Sequence, residues 1–170
     1  MSETISIRLR RLTDRNVIPT LRPRSEELLV GLEADLGWQL PARTRELLAS
    51  VGPLELPPTL AVVHSFLGPA PGPYGSIASK TAELVARCPA ARHMVVLGVG
   101  AVGREWFCAH LADDLEGEPP IYLYDATDGV LEGVFYDNYE AMLCEVLDFV
   151  DEITALAPGP LEHRMPPLTM

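Results

Sequence analysis

The stretch 121–136, IYLYDATDGVLEGVFY, sets the tightest limit on what this chain can fold into. Two apolar, β-prone runs, 121–125 and 130–136, flank the pair Asp128-Gly129. An Asp-Gly pair between such runs supplies the positive φ values a tight hairpin needs, so two antiparallel strands are predicted. The hairpin also restricts what can lie upstream. A strand committed to a hairpin has no crossover helix after it, and a doubly wound parallel sheet requires one.

That restriction decides how the segment VVLGVGAVGREW (95–106) is read. It holds a G-x-G-x-x-G at Gly98, Gly100 and Gly103, and Asp125 ends the next apolar run. In a dinucleotide site the glycines let the backbone approach a pyrophosphate at a helix N-terminus, and the acid takes the ribose hydroxyls. Such a site needs residues 104–116 to be a helix. Trp106-Phe107 is a poor opening for a helix that must lie close to glycines. Trp106, Cys108 and His110 alternate with Phe107, Ala109 and Leu111, as in a strand. We therefore expect strands near 93–99 and 104–111, joined by a glycine loop. The alternative is an NAD(P)-binding oxidoreductase or nucleotide sensor using Gly98, Gly100, Gly103 and Asp125.

Elsewhere the pattern is helical at 25–37, with Ser25 as cap, Leu28, Leu29, Leu32 and Leu36 inward, and Gly37 as stop. A second helix follows Pro41 over 42–50 and ends at Gly52-Pro53. Residues 59–67 read as a strand, 68–76 as a Pro/Gly loop and 77–87 as a helix. A last helix starts with Asp137 and Glu140 in a capping-box arrangement. It has a stripe of Met142, Leu143, Val146, Val150 and Ile153. Residues 1–24 form a basic arm and 157–170 a Pro-rich tail.

The net charge of −11 is unevenly spread. Residues 1–92 carry 11 basic and 9 acidic side chains; residues 93–170 carry 2 and 15. The acidic half argues against nucleic acid, whose phosphates it would repel, and favours a basic partner. The arginines of the first 24 residues either form a free arm or lie across this acidic half. No apolar run reaches bilayer length and the N-terminus has no signal-peptide core, so no membrane association and a cytoplasmic location are expected. Cys88, Cys108 and Cys144 form no CxxC and are expected as reduced thiols. His64, His93, His110 and His163 have no metal-ligand spacing, and no metal or cofactor is expected.

The order of these segments resembles the SUKH superfamily. The resemblance rests on Leu36-Gly37-Trp38-Gln39-Leu40-Pro41, where the family has L-G-x-x-L-P. It rests also on Val51-Gly52 at a helix-ending turn, on Pro120-Ile121-Tyr122-Leu123-Tyr124-Asp125-Ala126-Thr127-Asp128, and on Tyr139-Glu140-Ala141-Met142-Leu143 at the start of the closing helix. It covers about residues 25–155. The chain departs from the family in having Val51 where Asn is usual, Thr44 where an aromatic is common, and an insertion near 68–92. The resemblance implies a single α+β domain, 25–156, with a central, mostly antiparallel sheet flanked by helices. For bacterial members it implies immunity proteins that bind and block toxins.

The residues favoured for partner binding are Asp113, Asp114, Glu116, Glu118, Asp125, Asp128 and Glu132, on two acidic loops, with Tyr122, Tyr124 or Tyr136 as aromatic anchors. The expected function is a non-enzymatic immunity protein whose partner is a toxin with a basic surface.

Overall fold

The computed structural model describes residues 3–18, 21, 25–56, 62–111 and 117–156. Six strands form one sheet: β1 (Leu54–Glu55), β2 (Val63–Phe66), β3 (Met94–Gly100), β4 (Glu105–His110), β5 (Ile121–Asp125) and β6 (Val130–Tyr136). Their spatial order follows the sequence, β1 to β6, and every neighbouring pair is antiparallel. This is a meander, the arrangement short connections produce. Among the described residues the helices are α1 (Glu3–Asp14), α2 (Glu26–Leu36), α3 (Ala42–Val51), α4 (Ile77–Arg87) and α5 (Tyr139–Leu156), with a 3₁₀ turn at Pro89–Ala91. The protein is α+β, as the sequence pattern predicts.

Register explains how both faces of the sheet come to be buried. Paired residues on neighbouring strands point to the same side, and successive residues alternate. One row runs Ser65, Val99, Trp106, Tyr124 and Leu131; the opposite face carries Phe66, Gly98, Phe107 and Leu123. Helix α4 covers the first face. Lys80 Nζ and the Arg87 guanidinium lie 4.7 and 5.2 Å from the Trp106 ring centre, and Glu83 bridges the two cations. Helix α5 covers the second face, where Tyr139 meets the Phe66 ring edge-on at 6.2 Å. Strand β3 is buried along its whole length because it lies between these layers.

Several helix ends have local causes. Gly37 adopts φ +70° and stops α2, donating its N–H to Glu33 and Ala34 carbonyls. Ser76 and Ser79 form a reciprocal capping box at the start of α4. Helix α5 starts at Tyr139, so the cap is Asn138, whose Oδ1 accepts from Ala141 N at 2.9 Å, and not Asp137. Ser25 stands at the N-cap of α2 without a side-chain bond.

Other expectations shift by a few residues. The strand predicted at 59–67 is observed at 63–66, and residues 57–61 lie outside the described set. Leu28 is exposed, since the buried stripe of α2 is Leu29 and Leu32. On α5 the stripe runs through Leu147 and Thr154, leaving Ile153 half-buried.

The largest difference from the sequence pattern is at the N-terminus. Residues 3–14, assigned to a basic arm, form α1, and Ile5, Leu9 and Leu12 join the core at 0–2% exposure. Arg8 and Arg11 of α1, and Arg15 just after it, lie across the acidic last helix. Arg8 pairs with Asp148 and Asp151, Arg11 pairs with Asp151, and Arg15 donates to the Thr154 carbonyl.

Candidate functional site

The glycine motif forms a hairpin. Gly98 and Gly100 belong to β3 and Gly103 occupies the turn to β4, with φ +73°. The turn is closed by Gly103 N donating to Gly100 O, and Trp106 Nε1 donates to the Gly103 carbonyl. The backbone continues into strand β4, so no helix follows these glycines and the phosphate-binding turn does not form. The glycines answer to packing. A Cβ on Gly98 would come 3.0 Å from Val63 Cγ1 and 3.3 Å from the Ser65 carbonyl; one on Gly100 would strike the Glu105 carboxylate at 2.6 Å. Asp125, the proposed ribose ligand, is taken up by its own turn. Its Oδ1 accepts from Thr127 N at 2.7 Å and Asp128 N at 3.3 Å, and these bonds hold its pKa below the ordinary carboxylate value.

The predicted partner-binding carboxylates part company in three dimensions. Asp113, Asp114 and Glu116 lie outside the described residues. Glu118 is committed to the fold: its carboxylate accepts from Arg43 N (2.7 Å), Thr44 N (3.1 Å) and Thr44 Oγ1 (2.5 Å). It therefore caps α3 from across the molecule, because Pro41 at the N-cap position has no side chain to do so. Asp125, Asp128 and Glu132 stay together on the β5–β6 hairpin, and Asp128 and Glu132 are exposed. Of the tyrosines, Tyr124 and Tyr136 are buried and serve the core, and Tyr122 is half-buried. Burial pushes the Tyr136 hydroxyl up to about 12.

The acidic half thus divides into two sets. From position 111 to 162 the sequence has no Lys, Arg or His. Arginines from earlier in the chain neutralise one set: Arg43 grips Glu140 through two bonds of 2.9 and 2.6 Å, and α1 holds Asp148 and Asp151. The other set, Asp128, Glu132 and Asp137 on or beside the hairpin together with Glu145 and Glu152 on α5, forms no ion pair among the described residues. Beside the hairpin carboxylates, β6 exposes Val130, Leu131, Val134 and Phe135, each 43–55% accessible. The sequence pattern did not single out these apolar side chains. The signal was present, because a meander leaves its last strand at the edge, less covered than the strands between.

Two further places hold polar groups together. On β1 and β2, Ser65 Oγ donates to Glu55 Oε1 at 2.6 Å and His64 Nε2 lies 3.7 Å from Glu55 Oε2, with His64 stacked edge-on against Tyr74. Burial raises the Glu55 pKa. Ser65 bonds the carboxylate directly, so no imidazole stands between hydroxyl and acid as a nucleophilic triad requires. Between α2 and α4 lies a groove of about 480 Å³, lined by Trp38, Ala78, Ala82, Val85 and Met94, with Arg92 among its polar walls. No three metal-ligating side chains converge among the described residues, and no described helix is long and apolar enough to cross a membrane. Cys88, Cys108 and Cys144 are free thiols, with Cys108 pushed up to about 12 by burial. No family model matches this sequence, and no curated protein matches it either.

Proposed function

We propose that this chain is a non-enzymatic binding protein of the cytoplasm, an immunity protein that neutralises a cognate bacterial toxin by covering a basic surface on it. The observation that carries the reading is the hairpin β5–β6. Its outer carboxylates Asp128 and Glu132 form no ion pair among the described residues while Glu140, Asp148 and Asp151 of α5 are paired, and exposed apolar side chains accompany them. Unpaired carboxylates on a projecting element attract a cationic partner over a distance and raise association rates by about 10- to 10³-fold in a salt-dependent way. The apolar side chains then supply the short-range part of the contact.

The test is recovery of a partner from the native host with the tagged chain, its identification, and comparison with Asp128→Lys/Glu132→Lys. Asp125 is left intact because it holds the turn. Recovery of a basic toxin-domain protein at low salt, with association slowed about tenfold or more in the double variant, is the expected result. A partner that binds the variant at an unchanged rate overturns the reading.

A further inference from the structure

We propose that the partner docks by main-chain pairing along β6: an extended segment alternating Lys or Arg with apolar residues adds a seventh strand to the sheet. The inference rests on the binding-protein reading and names the docking chemistry of the same hairpin. Strand β6 has seven residues, six of them exposed, and it ends the sheet among the described residues; the opposite edge, β1, has only two. A sheet edge presents unpaired N–H and C=O groups, and proteins usually blunt it with Lys, Pro or inward charges. VLEGVFY has no Lys and no Pro, and its single charge is Glu132. Two register slips against β5 give β6 two more residues than its partner, bulges that bend the strand, yet no described strand pairs its outer side.

Charge selects the occupant. Asp128, Glu132 and Asp137 lie on or beside β6 and form no ion pair among the described residues; the cations near the hairpin, Arg87 on the Ala126 carbonyl and Arg104 beside Asp125, stand at its turn end. Pairing with a second copy would bring two such hairpins together, a like-charge arrangement that costs energy across paired strands. A basic strand reverses the sign. Leu131 shares a row with Tyr124, and Val134 shares one with Tyr122, but a bulge separates them, so the apolar positions of a regular incoming strand would continue one of these rows in each half of β6.

The test uses the intact protein and a capped peptide of alternating Lys and Val, matched in length to β6, with a Glu-Val peptide as control. Amide exchange is followed by NMR. The expected result is saturable, salt-weakened binding of the Lys-Val peptide only, with exchange slowed about tenfold or more at residues 130–136. Leu131→Thr/Val134→Thr keeps β-forming residues and should weaken binding about tenfold, near 1.4 kcal/mol. Binding without protection at 130–136 overturns the proposal. So does protection of β6 in the free protein, whether it disappears on dilution, as for a second copy, or on removal of residues 157–170. If Asp128→Lys/Glu132→Lys releases the native partner while β6 stays unprotected in that complex, strand addition fails and the acidic-surface reading survives.

Discussion

Two glutamates show how position decides what a carboxylate does. Glu118 satisfies two N–H groups of the first turn of α3 and the Thr44 hydroxyl. Helix caps of this kind contribute about 1–2 kcal/mol, so Glu118→Ala should lower unfolding stability in urea by that amount and leave partner binding by the hairpin unchanged. Glu55 behaves in the opposite sense, because burial raises its pKa above 4.5 in spite of the Ser65 bond and nearby His64. A raised folded-state value means that folding favours the protonated form. The stabilising contribution is present below the unfolded pKa and is lost as pH rises through the folded one. Glu55→Gln keeps an acceptor for Ser65 and removes the ionisation. The stability of the variant relative to the parent should therefore increase as pH rises from below 4.5 to neutrality, as thermal melts across that range would show. A flat difference would mean that Glu55 ionises in the fold as freely as in the unfolded chain.

At the scale of elements, α1 is part of the domain. It buries Ile5, Leu9 and Leu12 and fixes Arg8, only 14% exposed in its side chain, against Asp148 and Asp151. Burial of such side chains contributes about 1.5–3 kcal/mol each. Deleting residues 1–18 should therefore cost roughly 5 kcal/mol or more, read as a collapse of the urea midpoint, whereas a free arm could be removed at no cost. The β3–β4 hairpin makes a second demand. Gly98→Ala places a methyl against Val63 and the fixed Ser65 carbonyl and should destabilise by about 1–3 kcal/mol. Gly100→Ala meets the Glu105 carboxylate, which can swing away, and the Glu105 Cβ at 3.0 Å, which cannot, and should cost a similar amount. Melting temperatures lowered in both variants check this. A nucleotide-binding turn would instead make Gly100, at the close-approach position, the more sensitive of the pair in ligand binding.

For the whole molecule, the charge asymmetry is resolved by folding into a paired set and an unpaired set. Asp151→Ala strips both Arg8 and Arg11 of a partner and should cost about 1–3 kcal/mol in denaturant unfolding. Asp128→Lys/Glu132→Lys touches only exposed, unpaired groups and should change stability by about 0.5 kcal/mol or less per site. Equal costs for the two would mean that the hairpin acids are structural as well.

Much of the architecture was legible in local patterns. The strands at 121–125 and 130–136, the helix at 77–87, the stop at Gly37 and the antiparallel sense of β3 and β4 follow from period, turn chemistry and the room an Asp-Gly hairpin leaves. These are properties of neighbours in sequence, where sterics and alternation act directly. Which carboxylates remain available to a partner could not be read that way. Glu118 met α3, Asp151 met α1 and Asp125 met its own turn, and each pairing except the last joins residues far apart in the chain. The sequence alone determined the acidity and the elements from α2 onward apart from the short β1; only the tertiary structure decided that the N-terminal arginines form α1 and where the acidity goes unanswered, because a charge is neutralised by what lies beside it in space.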